Sequence, residues 1–328
     1  MKVLVTGANG LLGSNIVREL ENRGLRARAM VRPEARLLSL KGCKPEYFFG
    51  DITVYEELER AALGCDYIIH TAAVTRQTLP GLKDYLKVNL GGTQNVIEAA
   101  FSNNIRRVIY VSSTNSIGYG TRDRPGTEEK TAMKPYTESY YALSKFMAEK
   151  EVLDAVENRG LNALILNPSF MIGPNDSKPS SGSLLLIGYR NRMVFLTSGG
   201  RNFVPVEDVA KAACNALTKG RKGEKYLLTN ANLTYKEFYD IVDDITGFKR
   251  IKIILPPFLV KGVGMLGSLA SKSGRDVLLN YNNAKILTVR NFYSADKAIK
   301  ELDFPQSDIQ DAISKALEWF RDNNYINT

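Results

Sequence analysis

The first twenty residues, MKVLVTGANGLLGSNIVREL, constrain the fold more than any other stretch of the chain. Val3, Leu4 and Val5 read as a short buried strand, and Ser14 to Leu20 carry helical spacing. Between them TGANGLLG places Gly7, Gly10 and Gly13 three apart. A glycine turn from strand to helix is a candidate phosphate cradle, because glycine lets the backbone approach a pyrophosphate and the helix N-terminus supplies free amides with a partial positive charge. The spacing G-x-x-G-x-x-G differs from the G-x-G-x-x-G of ordinary dinucleotide folds. By itself the turn is equally a packing device.

The same strand-then-helix order continues. KVLVTG, RARAMV, EYFFGD, YIIHTAA, RVIYVSS, NALILNPS and a late KYLLT are apolar without strict alternation, as strands covered on both faces should be. The segments VYEELERAAL, VNLGGTQNVIEAAFSNN, TESYYALSKFMAEKEVLDAVENRG and VEDVAKAACNALTKG between them carry helical spacing. The expected fold class is therefore α/β: a doubly wound Rossmann-type parallel sheet with a smaller C-terminal substrate-binding lobe. Residues 1–168 are assigned to the nucleotide-binding domain, with 204–229 returning to it. Residues 169–203 and 230–328 are assigned to the lobe, since the sequence after Asn230 no longer alternates strand and helix. The most apolar late stretch, IKIILPPFLVKGVGMLGSLA, is expected to form lobe core or the wall of an apolar pocket, with contact to a membrane surface as the alternative. Its prolines, Lys261 and glycines argue against a spanning helix.

Composition removes several function classes. Cys43, Cys65 and Cys214 are too few and too scattered for a disulfide framework or a metal knuckle, so no metal site is expected. The net charge of +9 is spread along the chain with no basic block interleaved with aromatics, which points to a small anionic ligand and away from nucleic acid. His70 is the only histidine, so any Ser-His-Asp or Cys-His system would have to use it, and its place at the end of an apolar strand reads as packing. With no stretch long enough for stable membrane insertion, and with Met1 opening directly on a strand, the protein is expected to be cytoplasmic.

The end of the second strand, AMVRPEAR, puts Arg32 where an acidic residue would bind a ribose 2'-hydroxyl, with Arg36 one turn later. Guanidinium groups suit a 2'-phosphate, which favours NADP over NAD. The other reading is two solvated arginines on a loop. At the end of the third strand Asp51 is placed to accept from an adenine amino group and Ile52 to line the ring, unless GDI is an ordinary turn. In YYALSK, Tyr141 and Lys145 are four apart and share a helix face, so the ammonium is expected to stabilise a phenolate and lower the tyrosine pKa. Tyr140 with Ser144 is a competing register without a cation. About 25 residues earlier VSSTNSIGYG ends a strand in a hydroxyl cluster, and Thr114, or in its place Ser113, is positioned to hydrogen-bond a substrate oxygen.

In order and spacing, TGANGLLG, GDI, HTAA, VNLGGT, VSSTNSIGYG, YALSK and NPSFMIGP resemble the extended short-chain dehydrogenase/reductases, the epimerase/dehydratase superfamily, over most of the chain. VRP and NPSFMIGP look most like the dihydroflavonol 4-reductase and hydroxysteroid dehydrogenase-like branch. The resemblance implies a bound NAD(P) and a catalytic set carried here by Thr114, Tyr141 and Lys145. It implies cofactor contacts from Gly7, Asn9, Gly10, Leu11, Leu12 and Gly13 of the turn, from Thr71, Ala72 and Ala73, from Asn89, Ser112, Pro168 and Ser169, and from Tyr141 and Lys145, the lysine at the nicotinamide ribose. It also implies a homodimer. The expected function is NADP-dependent interconversion of a carbonyl and a secondary alcohol on a small molecule. One alternative is a nucleotide-sugar epimerase or dehydratase, for which Arg201 in GGRNFVPVEDVA would meet the sugar-nucleotide phosphates; Asn202 and Pro205 depart from that pattern. The other is a non-catalytic NADP-binding sensor or scaffold.

Overall fold

The computed structural model describes residues 1–76, 79, 81–272 and 279–326. Its strands are β1 (Lys2–Thr6), β2 (Arg26–Val31), β3 (Glu46–Phe49), β4 (Tyr67–His70), β5 (Arg107–Val111), β6 (Ala163–Pro168), β7 (Phe170–Ile172), β8 (Met193–Thr197), β9 (Gly200–Pro205), β10 (Lys225–Leu228), β11 (Ala231–Thr234), β12 (Ile251–Leu255) and β13 (Arg290–Asn291). The helices are α1 (Leu11–Asn22), α2 (Tyr55–Ala62), α3 (Leu82–Tyr85), α4 (Gly91–Ser102), α5 (Tyr140–Arg159), α6 (Ser183–Arg190), α7 (Val206–Asn215), α8 (Tyr235–Thr246), α9 (Pro257–Lys272), α10 (Tyr281–Leu287), α11 (Asp296–Leu302) and α12 (Ile309–Asp322).

The seven strands read from sequence form one parallel sheet in the order β10-β6-β5-β4-β1-β2-β3. Successive side chains of a strand point to opposite faces, and here both faces are covered. Val3 and Val5 pack with Ile16, Leu20, Val209 and Ala213 of α1 and α7, whereas Leu4 packs with Leu58, Val96 and Val152 of α2, α4 and α5. This double burial explains the unbroken apolar runs. The order reverses between β1 and β4, and the carboxyl ends of the strands border the crevice created there.

A second, smaller sheet has β9 at its centre, antiparallel to β11 and parallel to β7 and β13. Its core stacks Phe203 on Phe238 at 4.4 Å and takes in Ile313, Leu317 and Phe320 of α12. Two features differ from expectation. The region after Asn230 does alternate, as β11, α8, β12 and α9, although its strands are short and join other sheets. The stretch expected to be lobe core or the wall of a pocket forms β12 and then α9, whose Phe258, Leu266 and Leu269 face solvent. The reason is its glycine face, which is the one that packs. No helix among the described residues is long and apolar enough to cross a membrane.

Candidate functional site

The glycine turn owes its shape to close approach. Gly7 has φ +67°, and a Cβ there would sit 2.7 Å from the backbone of Ala72. A Cβ on Gly13 would lie well inside 3.0 Å of the Gly7 carbonyl, so glycine lets α1 begin directly against the turn. Gly10 caps α1 with its own backbone, and neither a side-chain cap nor an acidic residue claims the first-turn amides. The positive end of α1 is thus presented to the crevice, as an anion site requires. Leu12 points into the core and Leu11 packs half-buried against it, so only their backbones can serve a ligand. Asn9 donates to the Arg36 carbonyl at 3.3 Å and accepts at its own carbonyl from Ser39 at 2.9 Å, pinning the loop after β2 onto the turn. Arg32 and Arg36 are exposed beside it and pair with no carboxylate among the described residues.

Asp51 ends β3 as a turn residue: one carboxylate oxygen accepts from the Thr53 amide and hydroxyl, both at 2.8 Å. Ile52 is buried against Gly92, where any larger residue would strike it. After β4, Thr71 donates to the Thr6 carbonyl at 2.7 Å, and Ala72 and Ala73 line the half-buried edge beside Gly7. His70 lies between Thr6, at 2.6 Å, and Thr93, at 3.3 Å. Burial, aided by the Lys145 charge, pushes its pKa down to about 3, so it stays a neutral packing residue. Asn89, in a π-helical turn over Leu86–Leu90, holds the Val74 backbone through both side-chain atoms and donates to Ser144 at 2.9 Å. It thereby ties the loop after β4 to the middle of YALSK.

Helix α5 starts at Ser139, whose hydroxyl accepts from the Ala142 amide, and ends at Gly160 with φ +78°. Tyr141, Ser144, Lys145 and Glu149 form its buried face, while Tyr140 points to solvent, which excludes the competing register. The hydroxyl facing the Tyr141 phenol is that of Ser113; the neighbouring Thr114 is buried and its carbonyl accepts from Tyr293 at 3.2 Å. Burial pushes the Tyr141 phenol up to about 12, with Ser113 pulling the other way. The expected lowering by Lys145 is absent. Its ammonium, 2% exposed, turns back to the Val111 carbonyl at 2.7 Å and lies 4.5 Å from the Tyr110 ring centre. Two groups four apart share a helix face, but a buried ammonium takes the nearest strong acceptor, here a strand end. Burial brings its own pKa down to about 7 against the opposing pull of Glu149.

Glu149 was not singled out from sequence. It is 1% exposed and accepts from Ser116, from Asn167 at 2.6 Å and from Lys225 at 2.6 Å, knitting β5, β6 and β10 beneath the site. Its signal was present, because Glu149 repeats the four-residue step of Tyr141 and Lys145. Ser112 is buried where β5 ends. Pro168 closes β6, and Ser169 donates to Asn202 at 2.6 Å, so the departure at Asn202 is a strut that also holds Asn232 at 2.8 Å. Arg201 lies half-buried, 4.3 Å from the Phe170 ring centre and beside Tyr136.

Gly7, Arg32, Asp51, Thr71, Ser112 to Thr114 and Pro168 thus follow or end six successive strands of one sheet and lie along its carboxyl edge. The cradle that a Cβ would fill, the uncapped helix end and the adjacent guanidinium groups form a donor set suited to a pyrophosphate dinucleotide.

Residues 3–229 match the model of the NAD dependent epimerase/dehydratase family. Sterol demethylase protein B of Methylococcus capsulatus is 30% identical, over 99% of this chain and 100% of that protein. A provisionally named dihydroflavonol 4-reductase of Synechocystis is 29% identical, over 99% of this chain and 96% of that one. Among solved structures, a nucleoside-diphosphate-sugar epimerase from Pseudomonas aeruginosa superposes with a TM-score of 0.83 at 25% identity, covering 100% of this chain and 99% of that one.

Proposed function

The chain belongs to the NAD dependent epimerase/dehydratase family, as an NAD(P)-dependent oxidoreductase of the extended short-chain type, and on that premise we propose that it interconverts a carbonyl and a secondary alcohol on a small organic molecule, using NADP. One observation carries this reading: a buried tyrosine, Tyr141, faces a strand-end hydroxyl and shares its helix face with a buried lysine, on the sheet edge that also bears the glycine turn.

Bound NADPH would supply the hydride. The first-turn amides of α1 would hold the pyrophosphate, Arg32 and Arg36 the 2'-phosphate, and Asp51 and Ile52 the adenine. Thr71, Ala72, Ala73, Asn89 and Ser112 would border the sugar, with Pro168 and Ser169 at the nicotinamide end. Tyr141, protonated throughout the neutral range at a pKa of about 12, donates its proton to the substrate oxygen as the alcohol forms. Ser113, whose hydroxyl faces the Tyr141 phenol, hydrogen-bonds that oxygen in the place expected for Thr114 beside it and favours the charge developing on it. Lys145, one turn along α5 and turned to the Val111 carbonyl, would hold the nicotinamide ribose.

Turnover of NADPH with a panel of ketones and aldehydes tests the reading. Tyr141→Phe should lower the rate by roughly 10²-fold or more, the usual worth of a positioned acid, while NADPH affinity read by fluorescence stays within about twofold, since the phenol is assigned to proton transfer. An unchanged rate in that variant would overturn the assignment.

A second reading keeps the fold and returns the hydride to the same substrate, as a nucleotide-sugar epimerase does. The observation behind it is Arg201, a half-buried guanidinium with no carboxylate within ion-pair distance among the described residues. UDP-sugar binding that is lost in Arg201→Ala would favour this reading.

A further inference from the structure

Helix α9 is built inside out. Val260, Gly264 and Gly267 face the protein, and Gly264 lies so close to α10 that a Cβ would sit 2.5 Å from that of Ala284. Phe258, Leu259, Val263, Met265, Leu266 and Leu269 face outward, with Leu266 68% and Phe258 71% exposed. The parallel ribbon β8–β12, which leads into α9 through Pro256, adds exposed Met193, Phe195 and Ile251. A water-facing helix normally turns such residues inward. Contiguous exposed apolar surface of this kind marks an interaction site.

Charge identifies the occupant. Between Asp244 and Asp276 the sequence carries Lys249, Arg250, Lys252, Lys261, Lys272 and Arg275 and no acidic residue. Asp243 and Asp240 neutralise Arg250 and Lys252. Lys249, Lys261 and the neighbouring Arg192 have no carboxylate within ion-pair distance among the described residues. An apolar surface bordered by uncompensated cations matches the boundary between acyl chains and anionic headgroups. A second copy of this chain fits poorly, because pairing would bring like-charged borders together.

We propose that α9, with the β8–β12 ribbon, docks the protein onto an anionic lipid bilayer without spanning it. The proposal is independent of the reaction assigned above. Docking would hold α10 near the membrane boundary, and α10 reaches the catalytic helix: Asn282 donates to the Glu138 carbonyl at 2.8 Å, and Ile286 packs with Tyr136 and Ala142.

Flotation of the full chain with vesicles of phosphatidylcholine, alone or mixed with phosphatidylglycerol, tests this. Binding should be strong on the mixed vesicles, weak on phosphatidylcholine alone, and reduced by salt. Leu266→Glu with Leu269→Glu should weaken it by about tenfold or more, since a charge opposes entry of the apolar face, with unchanged circular dichroism because both side chains are exposed. Lys249→Glu with Lys261→Glu should weaken binding about tenfold or more on the anionic vesicles alone. Three results would overturn the proposal: no binding to the mixed vesicles, binding indifferent to the Leu266/Leu269 pair, or a stable solution dimer that this pair splits, which would make a second copy the occupant.

Discussion

Helices α1 and α9 both depend on glycine, and they use it in opposite ways. In α1 the glycines stand at the N-terminus, where they free backbone amides toward the crevice, and Leu12, Ile16 and Leu20 are buried behind them. In α9 Gly264 and Gly267 lie on the packed face, and the large apolar residues are left outside. Composition does not separate the two cases. What separates them is the object lying against the missing Cβ: a carbonyl of the turn for Gly13, the side chain of a neighbouring helix for Gly264.

The sharpest break of this comparison is a paired substitution. Gly13→Ala forces a methyl into the Gly7 carbonyl, and a backbone cannot yield as a flexible side chain does. Overpacking of about 1–3 kcal/mol at the cradle should lower cofactor affinity by roughly 10–100-fold. Gly264→Ala pushes α9 away from Ala284, with a Tm loss from overpacking of about 1 kcal/mol or more, and cofactor titration should not register it. Equal effects of the two on cofactor affinity would erase the distinction.

Next in size is Arg32→Asp, which tests what the α1 cradle has beside it. Loss of a charge-assisted contact worth about 1.5–3 kcal/mol should weaken NADPH binding by roughly 10–100-fold while sparing NADH. If NADH already binds the unaltered protein more tightly, the proposed NADP preference fails.

The smallest effect concerns Lys145. Its folded pKa, about 7, lies below the ordinary lysine value of 10.5, so between those values the unfolded chain binds more protons than the folded one. Stability contributed through this group therefore rises with pH across that window, and the burial cost is fully present below 7. Lys145→Met should melt at a higher temperature than the parent at pH 6, with the advantage fading toward pH 10. A pH-independent difference in Tm would show that burial of the charge is not the cause.

Much of the parallel sheet was legible because strands covered on both faces leave continuous apolar runs that survive reading in one dimension. Each motif follows the carboxyl end of its own strand, although along the crevice those ends run β6-β5-β4-β1-β2-β3 and not in chain order. Side-chain partnership was less legible. Lys145 is one helical turn from Tyr141, yet it bonds the Val111 carbonyl, because the end of β5 arrives from far along the chain. The hydroxyl facing Tyr141 belongs to Ser113, a choice the strand's exit direction makes. Glu149 escaped notice because its partners Ser116, Asn167 and Lys225 come from three separate segments. The apolar stretch from Ile251 departs from a lobe core for a related reason: hydropathy records how apolar a helix is and does not record which face the protein covers.

The sequence by itself determined what is local and periodic: the strand–helix alternation, the glycine turn, the basic residues after β2 and the four-residue step in α5. These follow from backbone sterics and residue spacing, which need no distant partner. Only the tertiary structure decided which acceptor receives Lys145, which hydroxyl meets Tyr141 and which side of α9 meets water. Those outcomes depend on close packing between segments far apart in the chain, where a few tenths of an ångström at a glycine or a strand end select one neighbour over another.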